Sequence, residues 1–183
     1  QECLKRQPED VESLTILAAV TKAMKSTPER LGALDRLISV VPDASLLILT
    51  YAAEFSEWRS SGAPGAASAK LDEPIRLLRR GIELTAWQDE RYLIRLAGFL
   101  ATAGRSAEAA QGYAAALALR DMYEPMEESV GDDDLAFLAA RNYLDAHDRA
   151  ASETFVERLK TLNPQHAELS SLARQLAAEK KGS

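Results

Sequence analysis

The chain has 183 residues, 46% hydrophobic and 27% charged, with a formal charge of -6 at pH 7 and a pI near 5.1. That balance belongs to a folded globular chain long enough to bury a sizeable core, and it excludes a disordered one. The acidic charge disfavours bulk attraction to nucleic acid or anionic lipid, and no apolar run reaches the ~20 residues of a membrane-spanning helix.

The chain opens on a polar stretch that holds the only cysteine, Cys3. It has no partner for an internal disulfide and nothing nearby to depress its pKa, so it reads as an inert thiol. Gln1 stands where a start methionine would be, so the chain reads as a processed or excised piece of something longer. Residues 11–44, "VESLTILAAVTKAMKSTPERLGALDRLISVVPDA", carry two amphipathic helices. In the second, Ser26 or Thr27 is a suitable cap and Pro28 suits the first helical position. Leu31, Leu34, Leu37, Ile38 and Val41 then make an apolar face, and Pro42 forbids continuation.

Residues 45–88 hold a second pair, interrupted. "SLLILTYAAEFSEW" reads as a helix with Ile48, Tyr51, Ala52 and Phe55; "DEPIRLLRRGIEL" reads as another with Pro74, Leu78 and Gly81. Between them residues 60–71 are rich in Gly, Pro and small polar residues, and predict a flexible inserted loop. Residues 90–123 follow, with Leu93, Leu96, Ala97 and Leu100, the turn Ala103-Gly104-Arg105, then Ala109, Tyr113, Ala116 and Leu117. A second insertion, "EPMEESVGD", precedes residues 133–166, where Ala136, Ala139, Ala140 and Tyr143 lead to Val156, Leu159 and Pro164. Residues 167–180 predict a last amphipathic helix through Leu169, Leu172, Leu176 and Ala177. Strand signals are almost absent, since period-two alternation does not persist and no Asn-Gly or Asp-Gly turn occurs.

Written one above the other, residues 11–44 and 133–166 each show two helices of similar length with proline at the same place. Their span matches a repeat of roughly 34 residues. With the residues just named, the chain resembles the tetratricopeptide repeat family. Thr21 departs from that family's aromatic position, and Lys25 and His147 depart from its glycine position. The resemblance implies an all-α fold: a right-handed α-solenoid of about four helical hairpins plus a C-terminal capping helix, forming one array over the whole chain. Small residues would let paired helices approach closely, while Tyr113, Tyr143 and Phe155 fill the gaps.

No catalytic constellation is visible, and no cofactor or metal is expected. Asp145, His147 and Asp148 crowd a turn and lack a second histidine at metal-ligand spacing. "SSGAPGAAS" lacks the lysine and the strand–loop–helix setting of a phosphate loop. Asp132 to Asp134, in the acidic run, read as first-turn helix charge complementing the dipole rather than as a cation site. Arg76, Arg79 and Arg80 read as ordinary helix charge, with a partner carboxylate or phosphate as the alternative.

The resemblance also implies that first helices line a concave groove for a partner. Carried over unit by unit, the groove positions are Thr15 and Ala19, Leu49 and Ala53, then Arg91, Ile94, Arg95 and Gly98, and finally Phe137 and Arg141. Arg91 and Arg95 occupy basic positions that some family members use to clamp a carboxylate, but Thr15, Ala19 and Thr50 do not supply the rest of that clamp. The expected function is therefore a non-catalytic scaffold for a protein or peptide with an apolar and acidic character. A regulatory sensor of a peptide or small effector, gated by the loop at Gly62 to Gly65, is the alternative. Ala- and Arg-rich usage suggests a bacterial source, and the resemblance to the repeat family implies a part in an envelope, secretion or exopolysaccharide complex. A cytoplasmic location is favoured, either alone or as the soluble part of a membrane-attached protein, with the periplasm left open. Self-association through an uncovered first unit is a further expectation.

Overall fold

A computed structural model describes residues 10–126 and 130–182; Cys3 lies outside them. Among the described residues there are nine helices and no strand: α1 Val11–Ala23, α2 Thr27–Val40, α3 Ser45–Ser60, α4 Asp72–Leu84, α5 Glu90–Thr102, α6 Ser106–Arg120, α7 Asp132–Asp145, α8 Arg149–Leu162 and α9 Leu169–Gly182. They fall into two compact units, divided between Ala86 and Trp87.

In the first unit α1 packs on α2, α2 on α3, and α3 on α4. Asp10 caps α1 by accepting the Ser13 amide at 2.8 Å. Leu14 and Ala18 meet Leu31, Leu34, Leu37 and Ile38 of α2, all buried, and Ile48, Tyr51, Ala52 and Phe55 of α3 continue that core. Pro74 and Ile75 to Ile82 seal it from α4. The inserted segment is not an open loop. Turns close through Ala63–Ala66 and Ala66–Ala69 hydrogen bonds, Ala66 is fully buried, and Arg59 donates to the Ala69 carbonyl at 2.6 Å. Gly62 and Gly65, both at positive φ, permit those reversals where a Cβ would be strained.

In the second unit α5 packs on α6, α6 on α7, and α7 on α8, with α9 lying against α8 and α7. The α5–α6 crossing is close because it is built from small residues. A Cβ added at Gly112 would stand 2.9 Å from the Ala97 Cβ, and Ala97, Ala109, Ala110 and Ala116 are fully buried. Tyr113 fills the space that remains, while Tyr143 stacks on Phe155 at 5.6 Å between α7 and α8. At the C-terminal end Leu172 and Leu176 of α9 join Ala140, Leu144 and Val156 in one cluster.

Three of the short turns share one geometry. Lys25, Gly104 and His147 adopt φ of 55°, 74° and 61°. The next residue in each case reaches back five places, Ser26 to Thr21, Arg105 to Leu100 and Asp148 to Tyr143, at 2.9 Å. This left-handed exit satisfies helix-end carbonyls that would otherwise lack donors.

Candidate functional site

The first unit carries an open cavity of about 610 Å³ between the end of α1, the start of α2 and the solvent side of α3. Lys22, Lys25, Thr50, Ala53, Glu57 and Trp58 are among its walls, and Arg30 and Glu54 with them. Arg30 is nearly buried, pairs with Glu54, and also donates to the Ala18 carbonyl at 2.5 Å. That pair ties α1, α2 and α3 together and spends the Arg30 charge internally. The Lys22 and Lys25 ammonium groups are exposed and have no partner among the described residues. Phe55 meets the Trp58 ring edge-on at 5.8 Å, fixing an aromatic wall. Of the groove positions expected in this unit, Ala53 lines the cavity, Leu49 is half-buried on α3, and Thr15 and Ala19 are exposed on α1.

In the second unit, Arg91, Ile94, Arg95 and Gly98 are all partly exposed along α5. The Arg91 guanidinium is already held by its neighbour: Asp89 accepts from Nε at 2.9 Å and Nη2 at 2.7 Å. Asp89 also accepts the Arg91 amide, as the cap of α5. This hydrogen bond raises the Arg91 pKa, so its charge is committed before any ligand arrives. Arg95 has an internal partner as well. Phe137 is packed against the His166 ring at 5.2 Å and against the α9 cluster, so the C-terminal segment covers part of it. Arg141 is exposed on α7 and has no partner among the described residues.

Other charged features resolve into local structure. Arg120 is almost completely buried and bonds the Val130 carbonyl at 2.6 Å and Asp132 at 3.0 Å. Buried Glu90 lies 3.8 Å from Arg120 and accepts the Met126 amide at 2.5 Å. Met126, Val130 and Asp132 are thereby tied to α5 and α6. Asp133 accepts from Asn163 at 2.7 Å, which holds its carboxyl below the ordinary range, and Asp134 lies 3.6 Å from His166. Asp148 caps α8 through the Ala151 amide. Among the described residues no group of three potential metal ligands converges, and no helix is long and apolar enough to cross a membrane.

The basic residues of α4 also have partners within the chain. Arg76 engages Glu73, Arg80 donates to the Ile38 carbonyl at 2.9 Å, and Arg79 has a partner too. Burial and a hydrogen bond with Glu73 raise the Asp35 pKa, whereas the Arg76 hydrogen bond lowers that of Glu73. Burial first, and these two acids next, push Tyr51 up to about 12. Sequence reasoning missed Arg30–Glu54 and Arg120–Glu90, because pairs 24 and 30 residues apart leave no local pattern. Asp89 was detectable, as an aspartate directly before a helix is a cap candidate.

No protein-family model matches the sequence, and no curated protein matches it. Solved structures do. A crystal structure of MamA is 12% identical, covers 90% of this chain and 79% of its own, and has a TM-score of 0.60. MamA from Desulfovibrio magneticus RS-1 is 9% identical over 90% of this chain and 81% of its own, with a TM-score of 0.58. TTC0263, a thermophilic tetratricopeptide-repeat protein in Thermus thermophilus, is 16% identical over 96% of this chain and 86% of its own, with a TM-score of 0.53. The chain therefore has the tetratricopeptide-repeat fold, an all-α array of helical hairpins.

Proposed function

We propose that this repeat array is a non-catalytic scaffold that holds a partner polypeptide against its first helices. The observation that carries the reading is the cavity of about 610 Å³ in the first unit, which Ala53 lines and Lys22 and Lys25 flank. Its size is within the range of pockets that bury a small ligand or a few side chains. Two unengaged ammonium groups beside an aromatic wall suit a partner segment that is partly apolar and acidic.

In the second unit the exposed faces of Ile94, Gly98 and Arg141 extend the same preference, with Arg141 as the available cation rather than Arg91. A bacterial source agrees with the Ala- and Arg-rich composition, and a part in an envelope, secretion or exopolysaccharide assembly is what the resemblance to the repeat family implies. Selection from a random peptide library tests the reading. Acidic–apolar sequences should be enriched, and Lys22→Glu/Lys25→Glu should weaken their binding at least about tenfold. Selection of basic peptides, or indifference to both charge reversals, would overturn it.

A second reading, a sensor of a small effector, is favoured by one feature: Ser61, at the root of the inserted segment, also lines the cavity. An effector seated there would raise the melting temperature of the chain in a metabolite screen. Polypeptide binding with no such ligand would leave the scaffold alone.

A further inference from the structure

The cavity of about 610 Å³ in the first unit carries charge of both signs on different walls. Lys22 comes from the last turn of α1, and Lys25 is the left-handed residue of the turn that follows. The opposite sign comes from α3. There Ala53, Glu54, Glu57, Trp58 and Ser61 recur at helical spacing, which puts Glu57 and Trp58 on the side of α3 that lines the cavity.

One ion pair already closes within this lining: Arg30 and Glu54 satisfy each other, and Arg30 is also tied to the Ala18 carbonyl. The side chains of Lys22, Lys25 and Glu57 are exposed and have no partner among the described residues. Opposite charges that line one cavity without pairing leave a gap that a ligand carrying both signs can close. A purely acidic segment would satisfy the lysines but bring its own carboxylates towards Glu57, and like charges in a contact are unfavourable. A basic residue in the same segment turns that penalty into a gain. Trp58 favours the same group. Its half-buried ring is held edge-on to Phe55 at 5.8 Å, and an indole attracts cations as a carboxylate does.

We propose that this cavity, on the reading of it as the partner's site, takes a dipolar segment of the partner polypeptide. An acidic residue meets Lys22 and Lys25, a lysine or arginine meets Glu57 and Trp58, and an apolar residue accompanies them. Glu57 is then a specificity residue, which disfavours uniformly acidic segments and selects those with a base at a fixed offset from the acid. Ion pairs at exposed positions are modest, so the base adds about three- to tenfold in affinity rather than carrying the binding.

The random peptide library tests this when it is panned in parallel on the full chain, on Glu57→Lys and on Lys22→Glu/Lys25→Glu. On the unaltered chain the recovered acidic–apolar peptides should contain Lys or Arg at least about three times as often as the unselected library. On Glu57→Lys that enrichment should vanish while acidic residues stay enriched; Lys22→Glu/Lys25→Glu should lose the acidic residues instead. The most enriched peptide, synthesised with blocked ends, should bind Glu57→Gln about three- to tenfold more weakly than the unaltered chain. A copy with norleucine in place of its base should bind Glu57→Gln no more weakly than the unaltered chain. Net charge alone gives the opposite sign, because removing a carboxylate from the lining tightens every acidic peptide. Circular dichroism checks that each variant keeps its fold. Acidic peptides recovered without a base, or tighter binding of the parent peptide by Glu57→Gln, would overturn the dipolar site and leave the acidic-partner reading standing. Recovery of basic peptides, or of none, would remove both.

Discussion

Lys25 and His147 occupy a backbone conformation that L-residues with a side chain enter at a cost of about 1–2 kcal/mol. Both follow the repeat frame, which puts glycine at these turns, and Gly104 shows what the frame prefers. His147→Gly should relieve that strain, while glycine's larger unfolded-state freedom returns part of the gain. The net effect is a stabilisation of roughly 0.5–1 kcal/mol, or about 1–4 °C in melting temperature for a chain of this size. Gly104→Ala should move the same measurement the other way. A lower melting temperature for His147→Gly would show that the imidazole does something at that turn which outweighs its backbone strain. The turn positions were legible residue by residue, because the frame names them before any coordinate is known. The state of the nearby charges was not: Arg91 counts as a groove cation until Asp89, two residues away, is seen to grip it at 2.7 Å.

The α5–α6 hairpin depends on one close approach. Gly112 to Ala carries a favourable helix-propensity term of about 1 kcal/mol, but the new methyl would stand 2.9 Å from the Ala97 Cβ. Neither atom is the far end of a flexible side chain, so the helices must separate, and overpacking of this kind costs about 1–3 kcal/mol. The clash wins, and Gly112→Ala should be destabilising in a thermal melt. Adding Ala97→Gly removes the opposing methyl and should restore most of the loss, a coupling that a double-mutant cycle measures directly. Equal losses that simply add would deny the contact. Helix pairing of this sort was readable from the alternation of Leu, Tyr, Ala and Gly in residues 93–119, since small residues recur in frame. The segment 60–71 was less readable. Glycine and proline mark the chain reversals, but they do not reveal that Ala66 is buried or that Arg59 will tie down Ala69. Those contacts depend on tertiary packing.

The second compact unit closes on a core of its own. Residues 87–183 contain α5 to α9, with an internal core and a final helix whose outer side is polar. In repeat arrays stability is the sum of local hairpin terms and nearest-neighbour contacts, so a run of hairpins with its own cap is a folding unit. Residues 87–183 expressed alone should therefore remain helical by circular dichroism and melt cooperatively. A fragment with random-coil dichroism would show that the cluster of Leu172, Leu176, Val156 and Leu144 cannot sustain the unit.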